Sequence, residues 1–374
     1  MLRFLLLLAA MALFTLGLLT VYPVPDWAPW KVGILAGEFG HWLVAAALSL
    51  ATFAWFARAG AGWWAGATIV PALVAGGLLL RPSWQAWRIG AELPAQLSAA
   101  FGPHSPVRAP FSPAAFFEPD SAPVPVRTLL VTPDLPLDLY AAPRAAAPCV
   151  IMIHGGGWDS GDRTQLAHLN HWIARRGYAV AAISYRLAPQ HHWPAQRDDV
   201  LAAIAFLKSR APELGLDPAK FILFGRSAGG QIAQAVGYTA ADPAIRGVVA
   251  LYAPSDLIFG YVNTHENDAI KSPALMRQFL GGTPETARAN YESASAIFHV
   301  TPRSPPTLLA HGAIDTLSWH RHSERLAVRL REARVAHAYV ALPWATHGFE
   351  FNLHGPGGQL TTFALEWFLA AVTK

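Results

Sequence analysis

The sequence predicts a mostly parallel α/β sheet wrapped by helices, preceded by an all-helical apolar region. Three observations carry this. From residue 126 to the end, strand-like apolar runs alternate with stretches of helical periodicity. Between Met1 and Leu80 the only ionisable side chains are Arg3, Tyr22, Asp26, Lys31, Glu38, His41 and Arg58. At 221–230 an apolar strand, a Gly-x-Ser-x-Gly turn and a helix start follow one another directly.

The apolar region comes first in the chain. With 53% hydrophobic and 14% charged residues over 374 positions, the chain is apolar for a soluble protein, so part of it is expected in lipid. Three stretches, Phe4 to Val21, Gly33 to Ala57 and Ala61 to Leu80, each approach the roughly 20 residues that span a bilayer as helix. They predict a transmembrane region of about three helices over 1–80. Pro23, Pro25 and Pro29 break the first connection, and Arg58, Gly60 and Gly62 tighten the second. Trp27, Trp30, Trp63, Trp64, Trp84 and Trp87 fall near the expected ends, where amphipathic rings favour the interface. Met1-Leu2-Arg3 before an apolar run also fits a secretory signal, but no clear A-x-A site follows, so an uncleaved anchor is expected. Either version leaves the residues after Leu80 outside the cytoplasm. Lys/Arg counts on the two sides do not fix the orientation. Glu38 and His41 share a helical face and are expected as an interfacial, solvated pair.

Residues 81–125, rich in Pro, Ala and Ser, predict a juxtamembrane linker with a short helix around Trp84 to Leu97. The domain at 126–374 then supplies eight expected strands: Val126–Val131, Leu137–Tyr140, Val150–His154, Ala179–Tyr185, Phe221–Gly225, Val248–Tyr252, Thr307–His311 and Ala338–Leu342. Helical periodicity fills the gaps, notably at Gln165–Arg175, Gln196–Lys208, Ala228–Tyr238, His320–Arg334 and Leu360–Val372. Between 255 and 301 the alternation lapses. Phe259, Tyr261, Met276 and Phe279 there suit a lid or pocket wall, and a surface insertion that only packs fits equally well.

The chemistry concentrates at Ser227. Gly225-Arg226-Ser227-Ala228-Gly229-Gly230 has the small flanking residues of a nucleophile elbow, with a helix N-terminus aimed at developing negative charge. Upstream, His154-Gly155-Gly156-Gly157-Trp158 ends a strand, and its amides at Gly156 and Gly157, with that of Ala228, are candidates for an oxyanion hole. No Gly-Lys-[Ser/Thr] ending marks the loop as a phosphate cradle. A serine hydroxyl needs an imidazole to take its proton and a carboxylate to fix that imidazole's tautomer. Asp315 and His347 follow the last two expected strands in the required order and are the candidates. Asp256 is a rival acid that better suits a helix cap, and His311 suits a structural role. His191, His192 and His354 complete no metal-ligand spacing, so neither metal nor cofactor is implied. The one cysteine, Cys149, excludes an intrachain disulfide and is expected buried in its apolar run. The net charge of +4 comes from scattered arginines, which gives nucleic-acid binding little support.

From about Val126 to the end the chain resembles the hormone-sensitive-lipase-like and feruloyl/acetylxylan esterase branches of the α/β-hydrolases. The resemblance rests on His154-Gly-Gly-Gly-Trp158 with Ser160-Gly-Asp162, Ser184-Tyr-Arg-Leu-Ala-Pro189, Pro194-Ala-Gln196 leading to Asp198-Asp199-Val200, and Gly215-Leu-Asp-Pro218. Gly225–Gly230, His311-Gly312 through Asp315, and His347-Gly-Phe349 complete it. It implies an α/β-hydrolase fold and a carboxylic ester hydrolase for short acyl or acetyl groups. Ser227, Asp315 and His347 are implied as its triad, and Gly156 and Gly157 as the oxyanion hole. Arg226, where lipase-like relatives commonly carry an acid, favours the feruloyl/acetylxylan-like branch. Asp198 and Asp199 begin a helix, where a structural or dipole role is expected. The expected partners are a small or envelope-linked acyl ester and the lipid bilayer. A serine peptidase or amidase of the same fold, and a non-catalytic membrane scaffold, are the alternatives.

Overall fold

Strands β1 (Val126–Thr132), β2 (Leu135–Tyr140), β3 (Ala147–Ile153), β4 (Ala179–Ile183), β5 (Leu216–Arg226), β6 (Ile245–Leu251), β7 (Thr307–Gly312) and β8 (His337–Leu342) form one sheet in the computed structural model. Residues 1–24, 26–59, 62–104, 106 and 108–374 are described. Among them the strand order is β1-β2-β4-β3-β5-β6-β7-β8. β1 pairs antiparallel with β2 and β2 with β4, whereas β4, β3, β5, β6, β7 and β8 run parallel. The register aligns Ile153 with Gly225, Gly225 with Ala250, and Gly312 with Leu342, so the carboxyl ends of these strands open on one edge. In such sheets that edge is where ligands bind.

The central strands are apolar on both faces, as a sheet covered on both sides demands. Ile151, Leu223, Ala250 and Leu309 enter one core with helices α5 (Ala195–Ser209), α7 (Ala228–Thr239) and α11 (Arg321–Glu332). Their sequence neighbours Met152, Phe224, Val249 and Leu308 enter a second core with α4 (Ala167–Ala174) and α12 (Pro356–Val372). Short helices α6 (Ala211–Leu214), α8 (Leu257–Val262), α9 (Ser272–Leu280) and α10 (Arg288–Ala294) complete this part. Cys149 is fully buried, and burial pushes its thiol up to about 12.

Ahead of the sheet stand α1 (Leu2–Leu18), α2 (Trp27–Phe56) and α3 (Trp63–Phe101). At 30 and 39 residues, α2 and α3 are long and apolar enough to cross a bilayer by length and composition, while α1 is shorter at 17 residues. α3 differs from the expectation of a third span ending at Leu80 and a linker beyond it. It continues without interruption to Phe101, past Pro82 and Pro94. The reason is packing: Ala86, Gly90, Leu93 and Leu97 recur every three to four residues on one face and are buried, the three apolar side chains in the second core.

The expected solvated pair at Glu38 and His41 is also replaced. Glu38 is buried against the sheet-bearing part, where its carboxylate accepts the backbone N–H of Gly357 at 2.8 Å. His41 stacks on Phe116 instead, ring centroids 3.6 Å apart. Helical spacing put the two on one face; the neighbour that each meets is set by the docking of α2 against distant residues.

Candidate active site

Ser227 sits between β5 and α7 with φ of +52°, a conformation that side chains other than glycine adopt only under strain. The bend lifts its hydroxyl off the sheet edge. Close packing enforces the bend, since a Cβ on Gly229 would overlap the Ile153 and His154 carbonyls. The glycine loop after β3 lies against the elbow, and a Cβ on Gly155 would stand 3.3 Å from the Cβ of Ser227. Gly156 adopts φ of +121°, with the Ser160 carbonyl occupying the space a side chain would need. Among the described residues, the N–H groups of Gly156 and Gly157 donate to no other backbone or side-chain group. Ala228 opens α7, so its amide stands at the start of that helix dipole.

Asp315 follows β7 and His347 follows β8. Their side chains meet, with His347 Nδ1 2.7 Å from Asp315 Oδ2. A carboxylate only accepts, so Nδ1 carries the proton and Nε2 is left as the acceptor. The other carboxylate oxygen accepts the backbone N–H groups of Leu317 and Ser318 at 2.8 and 3.0 Å. Burial by itself would raise the Asp315 carboxyl; the His347 charge and hydrogen bonds from His311 and His347 outweigh it and hold it well below the usual carboxylate range. Tyr252 packs on the His347 ring at 4.2 Å between centroids.

Ser227, His347, Ala228 and Gly155 through Gly157 all line one cavity of about 570 Å³, within the ordinary range for small-molecule sites. Most of its remaining wall is apolar. Phe259 and Met276 from the 255–301 segment contribute, whereas Tyr261 and Phe279 pack into the core. Trp319 lines the cavity stacked on Phe259. Trp158 lines it too, with its ring on Phe279 at 4.6 Å and its indole N–H donating to Gln231 at 2.9 Å.

The rival residues have partners of their own, and one of them, His311, also stands with Nε2 3.3 Å from Asp315 Oδ2. Asp256 caps α8 by accepting the Phe259 N–H at 2.9 Å and pairs with Arg325. His311 is fully buried, with Nδ1 2.8 Å from the Ser323 hydroxyl and Nε2 2.8 Å from the Ser318 carbonyl. His192 bonds the Gln278 carbonyl, and His354 meets Asp120. Asp199 holds Arg186, and Asp198 pairs with Arg197. No group of three or more metal-ligating side chains occurs among the described residues.

Sequence reasoning missed two contributions. Trp27, Trp30 and Ile34 of α2 line the cavity, Trp30 lying 6.4 Å from the His347 ring. Those tryptophans had a simpler reading as interface anchors, and nothing in the local pattern shows which face docks. The second is the buried pair beside the elbow, in which Arg226 Nε donates to Glu350 at 2.9 Å and the Tyr252 hydroxyl donates to the same carboxylate oxygen.

The fold has counterparts among known proteins. Esterase LipW from Mycobacterium marinum superposes with a TM-score of 0.56 at 24% identity, over 80% of this chain and 91% of that one. A truncated carbohydrate esterase from gut microbiota gives 0.60 at 22% identity, over 68% and 99%. These likenesses show the α/β-hydrolase fold. In sequence, the chain is 27% identical to a probable carboxylic ester hydrolase, LipM, and 30% identical to esterase LipC, both of Mycobacterium tuberculosis. The alignments cover 63% and 62% of this chain but only 58% and 60% of those relatives. Over residues 137–330, which carry the glycine loop, the elbow and Asp315, the sequence matches the BD-FAE family, and the chain belongs to that family.

Proposed function

We propose that the chain is a membrane-anchored carboxylic ester hydrolase in which Ser227 is the nucleophile, His347 its general base and Asp315 the group that orients His347. The observation that carries this is the 2.7 Å bond from His347 to Asp315, which leaves Nε2 free to accept a proton in the cavity that Ser227 also lines. The Ser227 proton passes to Nε2 as Oγ bonds the ester carbonyl carbon. The carbonyl oxygen takes up negative charge and is held by the amides of Gly156, Gly157 and Ala228, each donor worth about 2.7–4 kcal/mol in such sites. The intermediate collapses, the C–O bond to the alcohol breaks, and Nε2 returns its proton to that oxygen. Water then gives a proton to Nε2, attacks the acyl carbon, and releases the acid and the Ser227 hydroxyl. No cofactor takes part.

The esterase names of the curated relatives support a carboxylic ester as substrate class, and a short acyl or acetyl group is the finer part of the proposal. α1, α2 and α3 are read as the anchor. The same reading puts the catalytic part on the extracytoplasmic side. The test is hydrolysis of p-nitrophenyl acetate or butyrate by the full chain. Turnover by the wild type and its loss in Ser227→Ala are expected; equal turnover by both overturns the proposal.

A further inference from the structure

Part of the cavity wall is made by α2, the same helix that runs on into the apolar region. Trp27 and Trp30 stack on each other at 4.7 Å, and Ile34 reaches the turn after His347, where a Cβ on Gly348 would meet its Cδ1 at 3.4 Å. One turn beyond Ile34, Glu38 is buried in the hydrolase part. After it, α2 turns its large apolar side chains outward, Trp42, Leu48 and Phe53 being about half exposed. α1 does the same at Phe4 and Leu8, and α3 at Val70 and Leu73. These exposed side chains form a belt on three adjacent helices, and 17 residues of α1 give it a height of about 25 Å at 1.5 Å per residue. That is close to the hydrocarbon thickness of a bilayer, about 30 Å.

At the same rise per residue, Ile34 lies only about 6 Å and Trp27 about 16 Å along the axis from Glu38. The Ile34 end of the cavity therefore lies within about a headgroup layer of the hydrocarbon, and the Trp27 end stands farther out. The cavity mouth is apolar where it faces the hydrocarbon. Phe351 lines the cavity and is 51% exposed, α2 packs on the Phe349–Phe351 turn, and Leu35, next to the cavity-lining Ile34 in α2, is 50% exposed. A water-soluble ester would gain nothing from so large an exposed apolar surface between belt and cavity.

Resting on the esterase reading above, we infer that the ester cleaved is carried by a bilayer-resident lipid. The lipid enters sideways past Trp27, Leu35 and Phe351, its ester at the headgroup boundary and its acyl chain in the apolar cavity.

The experiment uses the full chain in phosphatidylcholine vesicles. A diacylglycerol with a labelled acyl chain is placed in the same vesicles, and p-nitrophenyl butyrate is supplied from water. Wild type is expected to release the labelled acid at a rate set by the surface fraction of diacylglycerol and unchanged by diluting the vesicles. Leu35 does not line the cavity, so Leu35→Glu is expected to lower that rate at least tenfold and keep butyrate hydrolysis within twofold. Leu35→Gln serves where the added charge prevents insertion, with a smaller loss in the same direction. Butyrate hydrolysis with no acid released from the vesicles, or equal release by wild type and both variants, overturns lateral entry while leaving the esterase reading intact. Hydrolysis of neither ester overturns both.

Discussion

The Glu38 carboxylate of α2 accepts the indole N–H of Trp344 at 3.3 Å, three residues before His347. Its other oxygen holds the Gly357 N–H at the start of α12, and its backbone carbonyl accepts from Asn352. Val24, ahead of α2, accepts the hydroxyl of Thr316, which adjoins Asp315. The apolar region thus grips both loops that hold the Asp315–His347 pair.

Glu38→Ala is therefore expected to destabilise the full chain, because two buried donors lose their acceptor at about 1–3 kcal/mol each. Thermal unfolding in detergent checks this, and activity toward a soluble ester should fall with it. An unchanged midpoint would mean that the grip is incidental.

Asp256 and Asp315 separate capping from chemistry. Asp256→Ala removes the α8 cap and should cost about 1 kcal/mol. Ester turnover is expected to persist. Asp315→Asn leaves the His347 tautomer unfixed and should reduce kcat by roughly 10³–10⁴. Steady-state kinetics on both variants distinguishes them, and the reverse ranking would reassign the acid.

The buried Arg226–Glu350 pair predicts a non-additive double variant. Removing Glu350 alone, as Glu350→Leu, strands a buried guanidinium and should cost about 3–5 kcal/mol. The double variant Arg226→Met with Glu350→Leu should recover most of that. Chemical denaturation of the single and double variants measures the coupling, and strict additivity would contradict it.

How far the sequence could be read follows the range of its signals. The elbow, the glycine loop and the order of Ser227, Asp315 and His347 were legible because each is a local pattern tied to a strand end, and parallel strands bring their carboxyl ends together. The β1–β2 hairpin is equally local, with two residues between its strands. What stayed hidden depends on long-range docking. Glu38 lies 306 residues from Trp344 and 319 from Gly357, so helical spacing gave it His41 as a neighbour instead. The extension of α3 to Phe101 likewise depends on a core built from α12, which prolines at 82 and 94 masked.

Two buried histidines set an acid limit on stability. Burial pushes His322 down to about 3, the His311 and Arg325 charges adding to it, and burial pushes His154 down to about 4. Unfolded, both bind a proton near 6.5, so the unfolded state holds more protons below that pH and stability falls as pH falls through the window. Asp315 acts in the same direction, since its depressed carboxyl stabilises the fold above the ordinary carboxylate range and that contribution is lost in acid. The melting temperature should drop from pH 7.5 to pH 4.5, and His322→Gln should flatten the drop. A flat profile in the wild type would contradict this.

The central claim is that Ser227 is an activated nucleophile, and labelling with a fluorophosphonate probe tests it most directly. The full chain is expected to be modified once, at Ser227, as mapped by mass spectrometry, with labelling lost in Ser227→Ala and strongly slowed in His347→Ala. A folded wild-type chain that leaves Ser227 unmodified would contradict the account and favour a non-catalytic scaffold.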